Sequence, residues 1–237
     1  MGIAIKLLKF FCLLLLIGCQ PKEFEENTRI RVLGTVVNQN NVAIENASVN
    51  IFTDDEVGSI INFFPGVPTF NQIFNLGSTN TNQSGEFSIV SLLNRSNNFL
   101  VSVEKDENYA PYLFKTNVFD YTPDNLTVDL NTITLKEKFS FDLVINNQNP
   151  SSTIAVALNY EIPFCAEVYE EGTLQENLSN CYPSQELTVS LQGEDFSKSF
   201  ISTAGSSIQI SYSVNNQPEI VETINLNPSE NVFTITY

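Results

Sequence analysis

The chain has 237 residues, with 27 acidic side chains against 11 basic ones, a formal charge of −16 and no histidine. An acid excess of this size repels nucleic acid and anionic lipid head groups, because affinity for phosphate comes from lysine and arginine. The missing histidine removes Ser-His-Asp and Cys-His catalysis, histidine-ligated zinc and the commonest general base.

At the N-terminus, Lys6 and Lys9 lead into an apolar run from Phe10 to Ile17, which breaks at Gly18-Cys19-Gln20-Pro21. A membrane-spanning helix needs roughly 20 apolar residues, and this run is too short. Positive residues, a short apolar core and then Leu16-Ile17-Gly18-Cys19 resemble a bacterial lipoprotein signal peptide. The resemblance implies a cleaved signal over residues 1–18, with lipid on the Cys19 sulfur and on the new amine. Several acyl chains, at about 0.8 kcal/mol per buried methylene, make a durable anchor. Residues 19–28 read as the lipidated tether. Its Lys22, Glu23, Glu25 and Glu26 resemble the surface-export signal of Bacteroidetes lipoproteins, and a plain spacer facing the periplasm is the alternative. The expected address is the outer membrane, lipid-anchored and surface-exposed.

From Arg29 onward apolar and polar residues alternate with period two. Ile30, Val32, Gly34 and Val36 share one face, as do Phe139, Phe141, Leu143 and Ile145. Ile154, Val156, Leu158, Tyr160 and Ile162 make a third set, and Ile208, Ile210, Tyr212 and Val214 a fourth. Alternate side chains of a strand point to opposite faces, so these predict half-buried strands. Turn residues separate them, as at Asn38-Gln39-Asn40-Asn41 and Asn215-Asn216-Gln217-Pro218. The pattern predicts an all-β chain of two consecutive β-sandwich modules, residues 29–136 and 139–237, divided at Lys136-Glu137-Lys138.

Gly34-Thr35-Val36-Val37, then Ala43-Ile44-Glu45-Asn46-Ala47-Ser48-Val49-Asn50-Ile51, then the stretch from Thr79 to Ile89 around Gly85, resemble the carboxypeptidase regulatory-like domains. Leu100–Val103 and Leu126–Leu135 resemble that family's later strands. The resemblance covers residues 29–136. It implies a small transthyretin-like sandwich with no active site of its own. Asn46 stands where the family has glycine, and an insertion separates Phe52 from Thr79. The second module resembles no family.

Four residue patterns bear on possible chemistry. Ser102-Val103-Glu104-Lys105 matches S-x-x-K, but in a strand residues three apart point to opposite faces. Asn80-x-Asn82-x-Ser84-Gly85 has the outline of a calcium loop but closes on Ser91 instead of an acid, so a hairpin is the better reading. Asp54-Asp55-Glu56 is a cation candidate or, more simply, a solvated loop. With 27 acids, a close carboxylate pair by chance says little about glycoside hydrolysis. No catalytic residue, cofactor or metal site is therefore assigned.

Cys165 and Cys181 remain once Cys12 leaves with the signal and Cys19 takes lipid. In an exported chain they predict a disulfide, with two buried thiols as the alternative. The bridge would close a loop of about 17 residues, worth on the order of 3 kcal/mol. The insertion from Val57 to Leu76 carries Phe63, Phe64, Phe70 and Phe74 in a segment broken by Pro65-Gly66 and Pro68. These rings belong either to the core or to a patch that docks a partner. The residues together predict a cell-envelope binding or assembly module that is not an enzyme. Its expected partners are the membrane, through the lipid, and an envelope protein or a glycan, and not nucleic acid. A carboxylate-dependent glycan hydrolase and a subunit of a surface fibre or adhesion complex are the rivals.

Overall fold

The computed structural model describes residues 28–54, 72–93, 98–118, 122–227 and 231–237. The first half holds β1 (Arg29–Asn38), β2 (Ser48–Asp54), β3 (Gln72–Asn80), β4 (Glu86–Leu92), β5 (Asn98–Glu104), β6 (Tyr112–Asn117) and β7 (Thr127–Leu135). Period-two alternation decides their faces. In β1, Ile30, Val32 and Val36 are fully buried, while Arg29 and Arg31 are exposed. One sheet runs β4-β1-β7, with β1 and β7 parallel. The other contains β3-β2-β5-β6. Val32 and Ile133 of the first sheet share a core with Ile51, Val101 and Phe114 of the second, so the two pack as a sandwich.

Local chemistry sets the turns. The Asn38 side-chain oxygen accepts the N–H groups of Asn40 (2.9 Å) and Val42 (3.0 Å), and Asn41 is left-handed at φ 59°. Asn46, at the position of the family's glycine, has φ 57°. Asparagine visits that region more readily than other side chains do, so it can replace glycine there. Gly85 has φ +76°, and a Cβ on it would stand 2.4 Å from the Val36 carbonyl oxygen. Thr81 ties the connection from β3 to β4, which crosses from one sheet to the other, to the loop before β2. Its hydroxyl accepts from the Ala47 N–H (2.8 Å) and donates to the Ile44 carbonyl (2.6 Å).

The second half holds β8 (Lys138–Asn146), β9 (Thr153–Glu161), β10 (Cys165–Glu170), β11 (Thr173–Leu174), β12 (Asn180–Cys181), β13 (Ser184–Gln192), β14 (Phe196–Thr203), β15 (Ser207–Val214), β16 (Ile220–Asn225) and β17 (Val232–Thr236). Sheets β14-β8-β17 and β13-β9-β15-β16 face each other across a core that includes Phe141, Leu143, Leu158, Phe200 and Ile210. Asn215 and Asn216, both left-handed, make the turn into β16, closed by the Gln217 N–H on the Val214 carbonyl (2.9 Å). Two left-handed residues in succession are what a type I′ hairpin turn requires.

The strand pairing departs from a simple division at Glu137. Residues 165–181 leave the second sandwich and extend the first: β10 pairs in parallel with β6, and β11 and β12 pair with β10. The reason is burial. On the outer face of this sheet Leu113 lies opposite Ala166, and both cluster with Phe164 and Ile162, so β10 covers what would be an apolar edge. The chain therefore passes between sandwiches three times, near residues 137, 163 and 183. The first passage is held from both sides. Glu137 exchanges hydrogen bonds with the Gln39 side chain (3.0 and 3.1 Å), and its carbonyl accepts from the Ala204 N–H (2.7 Å). Lys136 lies over the Tyr182 ring, 3.9 Å from its centroid, and 3.8 Å from the Glu161 carboxylate.

Candidate functional site

The parallel register of β6 and β10 sets Tyr112 beside Cys165, Phe114 beside Glu167 and Thr116 beside Tyr169. Tyr112, Phe114 and Cys165 belong to the first core, and Tyr169 packs against it, so this row faces inward. The opposite sheet ends at β7, while this one continues through β10 and β11. The mismatch leaves a cavity of about 190 Å³ at the open side of the sandwich. Tyr112, Phe114 and Tyr169 form one wall, and Thr127, Asp129 and Asn131 of β7 form the other. The Phe114 and Tyr169 rings are 5.0 Å apart and tilted by 35°.

Asp129 is the carboxylate that lines the cavity, and Glu167 stands outside the lining, bonded to two of its tyrosines. Glu167 accepts the hydroxyls of Tyr112 (2.7 Å) and Tyr169 (3.2 Å) on one oxygen. Burial, reinforced by that hydrogen bond and by the Glu167 charge, pushes the Tyr112 phenol well above its ordinary range. Asp129 accepts the N–H of Asn131 (2.8 Å), which is left-handed at φ 52°, where the β1–β7 register shifts. No basic residue lines the cavity. Its chemistry suits a neutral or cationic group the size of one ring or one side chain, stacked on aromatic faces and hydrogen-bonded at the rim.

Cys165 and Cys181 are cross-strand partners of β10 and β12 and form the disulfide. Val168 donates its N–H to the Ser179 hydroxyl (2.9 Å), so the hairpin carrying β11 and β12 is fastened at two points. Glu167 lies near both sulfurs, but as a disulfide they offer no thiolate to a metal.

Of the residues singled out in the sequence, Cys19, Phe63, Phe64 and Phe70 lie outside the described residues, as do the signal, most of the tether, Asp55 and Glu56. Phe74 falls in β3, opposite Thr53, and its side chain is likewise outside them. Lys105 donates to the Glu45 carbonyl (2.7 Å), while Ser102 is buried in β5. The Asn82 oxygen accepts the N–H groups of Ser84 and Glu86, both at 2.9 Å, so the segment is a tight turn. However, β3 and β4 pair with β2 and β1 in different sheets, and the expected hairpin does not form. Sequence reasoning missed Tyr112, Phe114, Asp129, Asn131, Glu167 and Tyr169. The alternation of Tyr112, Phe114 and Thr116, and of Cys165, Glu167 and Tyr169, was readable, but nothing local joined the two rows.

No protein-family model matches the chain, and no curated protein matches it. Among solved structures it is similar to the Bacillus anthracis TIE protein, at 11% identity and TM-score 0.32, over 89% of this chain and 34% of that one. It is similar to a Streptococcal ancillary pilin at 14% identity and TM-score 0.31, over 89% of this chain and 63% of the pilin. The shaft pilin SpaA from Lactobacillus rhamnosus GG gives 8% identity and TM-score 0.32, over 88% and 98%. The chain thus spans about a third of the first of these and under two thirds of the second. At such scores the likenesses carry no argument about function.

Proposed function

We propose that this chain is a non-catalytic binding or assembly module of the cell envelope, a lipoprotein held at the outer membrane by acyl chains on Cys19. The observation that carries the non-catalytic reading is that the cleft is lined by one carboxylate, Asp129, and that both it and nearby Glu167 are engaged in hydrogen bonds. Glu167 is committed to two tyrosine hydroxyls and Asp129 to a main-chain N–H. Glycoside hydrolysis needs two carboxyl groups facing a bond across roughly 5–10 Å, one to exchange a proton and the other to attack the sugar or activate water. An aromatic cleft in a frame stiffened by three chain crossings and a disulfide is instead suited to holding a ligand without reorganising. The Phe63, Phe64, Phe70 and Phe74 segment is the second binding surface in this reading.

Three measurements test it on the lipidated protein. Cys19→Ala is expected to shift the protein out of the membrane fraction or leave its signal uncut; a mutant still processed and firmly membrane-bound defeats the anchor. Phe63→Ser with Phe64→Ser is expected to abolish capture of an envelope partner at an unchanged melting temperature. A loss of several kcal/mol of stability would assign those rings to the core. Turnover of a glycan by the purified protein, lost in Glu167→Gln or Asp129→Asn, would establish the hydrolase.

A further inference from the structure

We propose that the second sandwich polymerises by edge-strand addition, β16 of one molecule pairing with β13 of a second copy to continue the sheet β13-β9-β15-β16. This goes beyond the binding reading and does not depend on the cleft. It starts from the fact that β13 and β16 are the two outer strands of one sheet.

In an antiparallel ladder alternate residues turn their N–H and C=O to one neighbour, and the residues between turn theirs the other way. The hydrogen bonds at the strand ends settle which is which. Ile162 N–H donates to the Pro183 carbonyl (2.8 Å), and Gly193 N–H donates to the Ser152 carbonyl (3.0 Å). Both continue the β13–β9 register, so the odd-numbered residues of β13 face β9. Ser184, Glu186, Thr188, Ser190 and Gln192 therefore turn their main-chain groups outward. At the other side, Leu226 N–H donates to the Ser206 carbonyl (3.2 Å), continuing the β15–β16 register. The even-numbered residues of β16 face β15, and Val221, Thr223 and Asn225 turn outward. The Asn215 N–H on the Thr153 carbonyl (2.9 Å) fixes the β9–β15 pair in the same phase, which makes the assignment consistent across all four strands. Among the described residues no side chain hydrogen-bonds to these outward groups.

Exposed edges are normally blunted by lysine, proline, bulges or shortness. In each of the other sheets at least one outer strand carries such a device, while β4 and β17 carry none. β7 has the left-handed Asn131 and a register shift, and Tyr182 donates to its Thr134 carbonyl (3.3 Å). β3 has two register irregularities, β14 carries Lys198, and β11 and β12 have two residues each. β13 and β16 have none of these, and the one charge on the inner-facing side of β16 is Glu222. Neither contains lysine, arginine or proline, and both keep an unbroken register over nine and six residues. Val221 and Ile220 stay about half exposed on β16.

The occupant follows from direction and from charge. β13 and β16 run antiparallel to each other across the sheet, because three antiparallel steps separate them. A copy displaced sideways thus presents β13 to β16 in the antiparallel sense, with both inner faces on the same side. Half-buried Leu187, Val189 and Leu191 of β13 would then extend the row begun by Ile224 and Ile220. A two-fold β16–β16 pair would bring two Glu222 side chains onto one face as diagonal neighbours, which is unfavourable, and would leave β13 open. Pairing β16 with β13 satisfies both edges, and such a head-to-tail contact is open-ended. The charge of −16 opposes it at low salt, so association should strengthen as salt screens the repulsion.

The test uses the mature polypeptide from Cys19 onward, oxidised and without lipid, in sedimentation experiments. The mass should climb with concentration past a dimer at about 0.5 M salt, and less at about 0.02 M. Thr223→Pro and Thr188→Pro each remove one outward N–H, a position where an edge strand tolerates proline. Each variant alone should remain monomeric. Mixed, they should form dimers and stop there, because one retains a free β13 and the other a free β16. That complementation cannot come from misfolded variants. A wild type that stays monomeric, a mass that stops at two, or a mixture that does not pair would each overturn the proposal.

Discussion

The two sandwiches are closed in different ways. The first cannot be completed from its own half of the sequence: β6 needs β10, which lies some fifty positions further along and is delivered by a chain that has already built β8 and β9 of the other module. The second is made entirely from residues from Lys138 onward, and its two sheets pair in unbroken antiparallel register apart from the parallel β17. Apart from β4, the first consequently has bulged, bridged or very short outer strands, while the second keeps β13 and β16 straight and open in one sheet. Closure by a distant segment produces an interlock and a cleft where the added strands outrun the opposite sheet. Closure by neighbours leaves edges free to accept another strand.

The sharpest way to break this comparison is to remove the borrowed strands. Ile162 and Pro183 are already hydrogen-bonded partners, so an Asn-Gly turn can replace residues 163–182 and join β9 to β13 as a hairpin. Hydrogen exchange should show β8, β9 and β13–β17 still protected and β1–β7 largely unprotected. Leu113, Phe114 and Tyr112 would lose cover worth about 1.5–3 kcal/mol for each fully buried side chain. Protection retained in both sandwiches would mean that β10 is dispensable.

A smaller loss is expected from Cys165→Ala with Cys181→Ala. The stabilisation should fall by about 3 kcal/mol, with a drop in Tm of about 2–4 °C per kcal/mol. Faster exchange should be confined to β10–β12 and the cleft. Equal loosening of β13–β16 would argue that the bridge stabilises the whole molecule and not the first sandwich alone.

The smallest effect concerns the cleft tyrosine. Tyr112→Phe leaves Glu167 with one of its two donors and should cost about 1–2 kcal/mol at neutral pH. The wild-type phenol ionises near its ordinary pKa of 10.0 when unfolded and well above it when folded. The unfolded state therefore releases its proton first, and stability is lost as pH rises past 10. The variant should remove up to about 1.4 kcal/mol per pH unit from that alkaline slope. Tyr160→Phe in the second sandwich, whose hydroxyl donates only to Gln185 (3.1 Å), should change neutral stability less.

The sequence by itself determined which residues form the strands and which way they face. Ile30, Val32 and Val36, or Phe141, Leu143 and Ile145, need only alternation to declare a buried side, because the strand period is a local property of the backbone. It also determined the turns at Asn41 and Asn215, where asparagine accepts a left-handed conformation, and it predicted the Cys165–Cys181 disulfide that the structure contains. Only the tertiary structure decided where β10 goes, and with it the cleft of Tyr112, Tyr169 and Glu167 and which edges stay open. Alternation says that a strand has an inside and an outside, but not which sheet receives it. That choice rests on the burial of Leu113 beneath Ala166 and Phe164, a contact between segments that carry no local signal for each other.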